Sequence, residues 1–150
     1  MSAANDGKVN EMRVLLKYKA SLEALSSSDS TALHVAIDNN SREAIEFLVE
    51  AKADVNAARF NRESPTPLLS AVKEGGLGAH IVKILIRAKA DVHAKNDFGQ
   101  SALFKAITIG NKSIFKRLIE GKATIDPKIQ DDKKTYEKYL KFMATLERDA

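Results

Sequence analysis

The chain has 150 residues, 44% hydrophobic and 29% charged, the balance of a globular domain with enough length to bury a core. Cysteine is absent. This excludes disulfides and thiolate metal sites and points to a reducing, intracellular compartment, cytoplasmic or nuclear, with delivery as an effector left open. Net charge is +4, from 24 basic and 20 acidic residues of interspersed sign, which permits an acidic partner without demanding nucleic acid; none is expected.

The start, "MSAANDGKVNEMR", has no apolar core of the secretory type. The longest apolar run, in "IVKILI", is far below the ~20 residues that span a bilayer, so no transmembrane segment is expected. Three hexamers then recur: "TALHVA" at Thr31, "TPLLSA" at Thr66 and "SALFKA" at Ser101, spaced 66 − 31 = 35 and 101 − 66 = 35 residues apart. Each reads as a helix start. Thr31, Thr66 and Ser101 can accept a first-turn N–H as N-caps, and Pro67 suits the first helical position.

A second helix follows in every unit. Its apolar stripe is Ala44, Ile45, Leu48 and Val49, then Ile81, Val82, Leu85 and Ile86, then Ile114, Phe115, Leu118 and Ile119. Each second helix ends on a repeated signature containing Lys52, Lys89 or Lys122, and "YKASLEA" with Lys19 is an earlier copy. Short polar segments such as "ADVHAKNDFGQ" then read as tight turns between brief extended pieces. No such unit buries its stripe alone, and stacked neighbours bury a continuous core.

These motifs resemble the ankyrin repeat, on "TALHVA", "TPLLSA", "SALFKA", "ADVNA", "ADVHA" and "NDFGQS" in common register. The resemblance implies an all-α solenoid of helix–turn–helix units joined by β-hairpin-like loops. The whole chain, residues 1–150, is read as one domain. Residues 1–30 form a partial N-terminal repeat, 31–65, 66–100 and 101–134 form full repeats, and 135–150 form a capping helix. In the cap, Tyr136, Tyr139, Leu140, Met143 and Leu146 recur at helical steps. The stubbed first unit belongs either to a natural end or to a piece cut from a longer array, enzyme or effector.

The chain departs from the family in three places. Family units run ~33 residues. The extra pair lies in "AARFNRESP", lengthening a hairpin loop, and then in "KEGGLGAH" between helices, where Gly75, Gly76 and Gly78 are expected to loosen the loop. "KEGGLG" is not a phosphate loop, because no strand precedes it and the Lys-Ser/Thr pair is missing. Third, Lys19, Lys52, Lys89 and Lys122 stand where the family usually has a left-handed Gly. They would form a ladder along one edge. It is either a cationic stripe for phosphoinositide membrane or another polyanion, or a set of helix C-caps favoured by the macrodipole.

Catalysis is not expected. His34, His80 and His93 have no metal-ligand spacing, "SSSDS" has neither base nor oxyanion frame, and the acidic residues are scattered. No metal or cofactor is implied. His34 matches the ankyrin His that bonds within and between repeats, and His93 reads as structural.

The resemblance implies a protein partner, a monomeric binder, and a concave groove of hairpin tips and first helices. In register these positions are Arg59, Phe60, Asn61, Arg62, Lys95, Asp97 and Phe98 on the tips, with Asp38, Asn39, Lys73 and Glu74 on the first helices. Phe60 between Arg59 and Arg62 is the expected anchor, its alternative being a local plug folded onto its own loop. Truncating Arg59, Phe60 and Arg62 together is expected to weaken binding and leave stability nearly unchanged.

Overall fold

A computed structural model describes residues 9–73 and 77–148. Nine helices follow one another among these residues. They are α1 Val9–Lys17, α2 Ala32–Asp38, α3 Arg42–Glu50, α4 Pro67–Ala71, α5 Gly78–Arg87, α6 Ala102–Ile109, α7 Lys112–Glu120, α8 Pro127–Asp131 and α9 Lys133–Arg148. Among the described residues the only β feature is an antiparallel bridge between Lys95 and Ser101.

Local chemistry places the starts of the first helices. Thr31 accepts from the His34 N–H at 3.4 Å, Thr66 from Leu69 at 3.3 Å and Ser101 from Phe104 at 3.2 Å. Each cap occupies one donor that the helix itself leaves unpaired. Apolar residues facing the same way then stack like on like: α2 on α4, and α1, α3, α5 and α7 in succession. In-register Leu48, Leu85 and Leu118 are buried, with Ile37, Leu69, Ile81, Leu103, Ile107 and Ile114 around them. Burying each such side chain contributes roughly 1.5–3 kcal/mol, which the short helices do not supply on their own.

The end of the solenoid differs from the sequence expectation. A further N-cap stands at Asp126, which accepts from the Ile129 N–H at 3.2 Å and receives the Ser101 hydroxyl at 2.7 Å. Pro127 opens α8, and α9 begins at Lys133. The expected break at 134/135 therefore falls inside α9, and the terminal unit is a pair of helices. The step from Ser101 to Asp126 is 126 − 101 = 25 residues, so this turn of the solenoid has lost its long hairpin. On α9 Thr135 and Phe142 are buried and Tyr139, Met143 and Leu146 half-buried beside them, whereas Tyr136 and Leu140 are exposed. Phe142 is the deep residue. Its ring meets Phe115 edge-on at 5.1 Å, and Tyr139 meets the same ring at 6.0 Å.

Gly78 is also not a loop residue. It is the buried first residue of α5, where a Cβ would lie 2.9 Å from the Ala71 carbonyl oxygen and 3.0 Å from Ile114 Cδ1. Glycine is used here for close approach rather than for flexibility. Gly75 and Gly76 lie outside the described residues.

Candidate partner-binding surface

The lengthened loop is a built structure. The Arg59 N–H donates to the Pro65 carbonyl at 2.8 Å and closes its base. Asn61 Oδ1 accepts from the Glu63 and Ser64 N–H groups at 3.0 and 2.9 Å, the local turn that Asn favours. With the Asn61 side chain bonded back onto its own loop, Phe60 projects into solvent and is 89% exposed. It is not a plug. The next tip is organised by Asn96, whose Oδ1 accepts from Phe98 and Gln100 N–H groups at 3.1 and 2.9 Å. Gly99 takes the left-handed turn, with φ +69°, and Phe98 is left 42% exposed.

The two tips are joined. The Asp97 N–H donates to the Arg62 carbonyl at 3.1 Å, and Asn96 Nδ2 donates to the Glu63 carbonyl at the same distance. The Arg62 guanidinium lies 5.3 Å from the Phe98 ring centre and 3.5 Å from an Asp97 carboxylate oxygen. Phe60, Arg62, Asp97 and Phe98 thus sit on neighbouring, mutually braced tips, with Lys95 exposed on the second tip.

Arg59 turns the other way. Its side chain is only 9% exposed and holds both Asp38 oxygens, at 2.5 and 3.2 Å. It also donates to Ser30 Oγ, Ser70 Oγ and the Ser64 carbonyl. A guanidinium so occupied is not free to anchor a partner. Removing it takes one shared donor from Asp38, Ser30 and Ser70, so its truncation is expected to cost stability rather than to leave it unchanged. The first-helix positions are likewise engaged. Lys73 Nζ donates to the Ile37 and Asp38 carbonyls at 3.0 and 3.3 Å, and Asn39 Nδ2 to Val35 at 2.9 Å. Both close the open C-terminal end of α2. Glu74 lies outside the described residues.

Two cations on this side were not singled out from the sequence. Lys105 Nζ donates to Ser64 Oγ at 2.8 Å, to the Leu69 carbonyl at 3.1 Å and to the Glu63 carbonyl at 3.4 Å. Burial holds its pKa below the ordinary lysine value, the Glu63 charge opposes this, and the Arg59 charge acts in the same sense as burial. Lys128 donates to the Phe98 carbonyl. Nothing local marks either residue, because their partners lie 30 or more positions away.

His34 is fully buried. Nε2 lies 3.2 Å from the Pro65 carbonyl oxygen and so must donate, leaving Nδ1 to accept the Thr31 hydroxyl at 2.9 Å. Burial, followed by the nearby Arg59 charge, lowers its pKa from 6.5 to about 4. His80 lies on another face, 3.4 Å from Glu46, whose carboxyl is held below its usual range by hydrogen bonds from Arg42 and then His80. The His93 N–H donates to Asp91 Oδ1 at 2.9 Å. Among the described residues no group of His, Asp and Glu could hold a metal ion, and no helix is long and apolar enough to cross a membrane.

All four edge lysines take the left-handed conformation, with φ of 60° at Lys19, 69° at Lys52, 72° at Lys89 and 66° at Lys122. Each closes its helix with the same paired bonds. At Lys89 its N–H donates to Ile86 at 3.0 Å, and the Ala90 N–H to Leu85 at 2.9 Å, the Schellman arrangement. The side chains are exposed, but Glu50 and Glu120 stand two residues before Lys52 and Lys122, and Asp54 and Asp91 two after Lys52 and Lys89. The ladder is an edge of mixed sign. A separate cleft of about 630 Å³ lies between α1 and α3, lined by Glu11, Arg13, Glu43, Glu46 and Phe47 among others.

Stacked helical pairs with capped hexamers and projecting loops define a repeat-built solenoid. Residues 1–59 and 68–139 match the family model for ankyrin repeats (3 copies). The chain is similar to the human transient receptor potential cation channel subfamily A member 1, 29% identical over 79% of this chain and 10% of that protein. It is similar to the mouse B-cell lymphoma 3 protein homolog, at 32% over 68% of this chain and 22% of that protein. The human ankyrin repeat and SOCS box protein 6 is 30% identical over 87% of this chain and 32% of that protein. The chain therefore spans a third or less of these relatives. It belongs to the ankyrin-repeat family, whose repeats are generally non-catalytic protein–protein interaction modules.

Proposed function

We propose that this domain docks a partner protein against its hairpin tips and the adjoining concave side, as a monomeric, non-catalytic binder inside the cell. The reading rests on Phe60, 89% exposed at the crest of a loop held rigid by its own hydrogen bonds. An aromatic side chain held in water costs free energy, and with Phe98 on the adjoining tip and Arg62 over the Phe98 ring the composition matches that of interface anchors. Asn61 shapes the loop, Asp97 and Lys95 supply a polar rim, and Arg59, Asp38, Asn39 and Lys73 set the scaffold.

A second reading places an anionic surface against Lys19, Lys52, Lys89 and Lys122. One observation favours it: each lysine holds a backbone conformation that glycine adopts roughly 1 kcal/mol more cheaply. The acidic residues interleaved with the ladder count against it.

Affinity capture from lysate at two salt concentrations separates them, using the wild type, Phe60→Ala with Arg62→Ala, and Lys52→Gly with Lys89→Gly. Loss of one specific protein with the Phe60/Arg62 pair alone is expected. Loss only with the lysine pair, deepening with salt, would move the function to the edge. Retention by both variants would reject both readings.

A further inference from the structure

We infer that the segment received by the tips is acidic: an extended or loop peptide whose carboxylates flank one aromatic or aliphatic anchor. The inference rests on the tip-docking reading and specifies its ligand. Four cations meet around the two tips: Arg62 beside the Phe98 ring, exposed Lys95 on the same tip, Lys128 on the Phe98 carbonyl, and Lys105 on the Glu63 carbonyl and Ser64 hydroxyl. Two carboxylates stand among them, Asp97 against Arg62 and Glu63 near Lys105. Arg59 and Asp38 neutralise one another beneath, and Lys73 adds a further cation directed at main-chain carbonyls.

The surplus is therefore positive, and it lies beside the exposed Phe98, with Phe60 exposed on the adjoining tip. Lys128 donates to a neutral carbonyl oxygen, which satisfies the hydrogen bond without cancelling the charge, whereas Glu63 offsets part of the Lys105 charge. A carboxylate arriving from outside meets an uncompensated potential, while a basic segment is repelled. Asp97, Glu63 and Asp38, interspersed with the cations, interrupt the continuous positive track that a phosphate backbone requires. This favours a peptide over a nucleic acid.

The test is selection of a random phage-displayed peptide library on the intact chain, followed by titration of the enriched peptides. Acidic sequences with a Phe, Tyr or Leu anchor are expected. Their affinity should fall about tenfold with Lys95→Glu, rise with Asp97→Asn, and largely vanish with Phe60→Ala. Enrichment of neutral or basic peptides that still need Phe60 would overturn the inference and leave tip docking standing. Peptides indifferent to Phe60 would overturn both. Failure to enrich any peptide overturns the acidic-segment inference. So does tight binding of a single-stranded homopolymer RNA that Lys95→Glu abolishes, since that reassigns the patch to polyphosphate.

Discussion

Arg59, on the lengthened hairpin loop, grips Asp38 at the end of α2 with two nitrogens, 2.5 and 3.2 Å from its oxygens. Phe60, the very next residue, is almost fully in water. Adjacent positions on one loop therefore do opposite work, one bracing the solenoid and the other facing outward.

Their separation is measurable. Arg59→Ala leaves Asp38, Ser30 and Ser70 without this donor, and is expected to lower stability by about 1–3 kcal/mol, the exposed Asp38 being solvated in its absence. Phe60→Ala should stay within about 0.5 kcal/mol of wild type, as for a surface change. Urea unfolding of the two variants decides the matter, and equal destabilisation would contradict the assignment.

The edge lysines predict a gain. Lys89→Gly relieves a side chain held at φ 72° and should stabilise the domain by up to about 1 kcal/mol, with Lys52→Gly additive to it. A loss on both substitutions would mean that the lysine side chains contribute more than their backbone strain costs. Thermal melts of the single and double variants give the answer.

Acid should weaken the fold through His34. Its folded pKa lies near 4 against an ordinary 6.5, so below pH 6.5 the unfolded chain takes up a proton that the native state refuses. Stability is complete above pH 6.5 and declines as pH falls toward 4, by about 3 kcal/mol for this group. His34→Gln should flatten that part of the profile, whatever it does to the baseline. An unchanged slope in the variant would place the acid sensitivity elsewhere.

Gly78→Ala tests the close packing at the start of α5. The added methyl meets the Ala71 carbonyl oxygen and Ile114 Cδ1 at 2.9 and 3.0 Å, and the expected cost is about 1–3 kcal/mol. Intrinsic helix preference alone would make the same change favourable by ~1 kcal/mol, so the sign of the measured change discriminates between the two effects.

Much of the fold was legible because it is local and periodic. A hydroxyl residue before an apolar hexamer makes an N-cap wherever it occurs, and Leu48, Leu85 and Leu118 fall on the buried stripe by helical period alone. The left-handed lysines were legible for the same reason, since position after a helix dictates conformation. The terminal unit was readable too, from Asp126 before Pro127, but a regular repeat length concealed a shortened turn. Phe142 was passed over because Tyr136 and Leu140 share nearly the same spacing, and only contact with Phe115 selects which side of α9 faces inward.

The sequence by itself determined the repeat, the caps of its three hexamers, the stripe and the places of the loop tips, because each depends on neighbours within a few residues. The tertiary structure alone decided the direction of Arg59. Its partners Asp38 and Ser70 are 21 and 11 positions away, and an arginine turns inward only where distant groups satisfy its charge. The same is true of Lys105 and Lys128, whose positions beside Glu63 and Phe98 respectively follow from the stacking of one unit on the next. Phe60 and its lengthened loop were written in the chain, whereas its exposure and the charge beside Phe98 arose from packing.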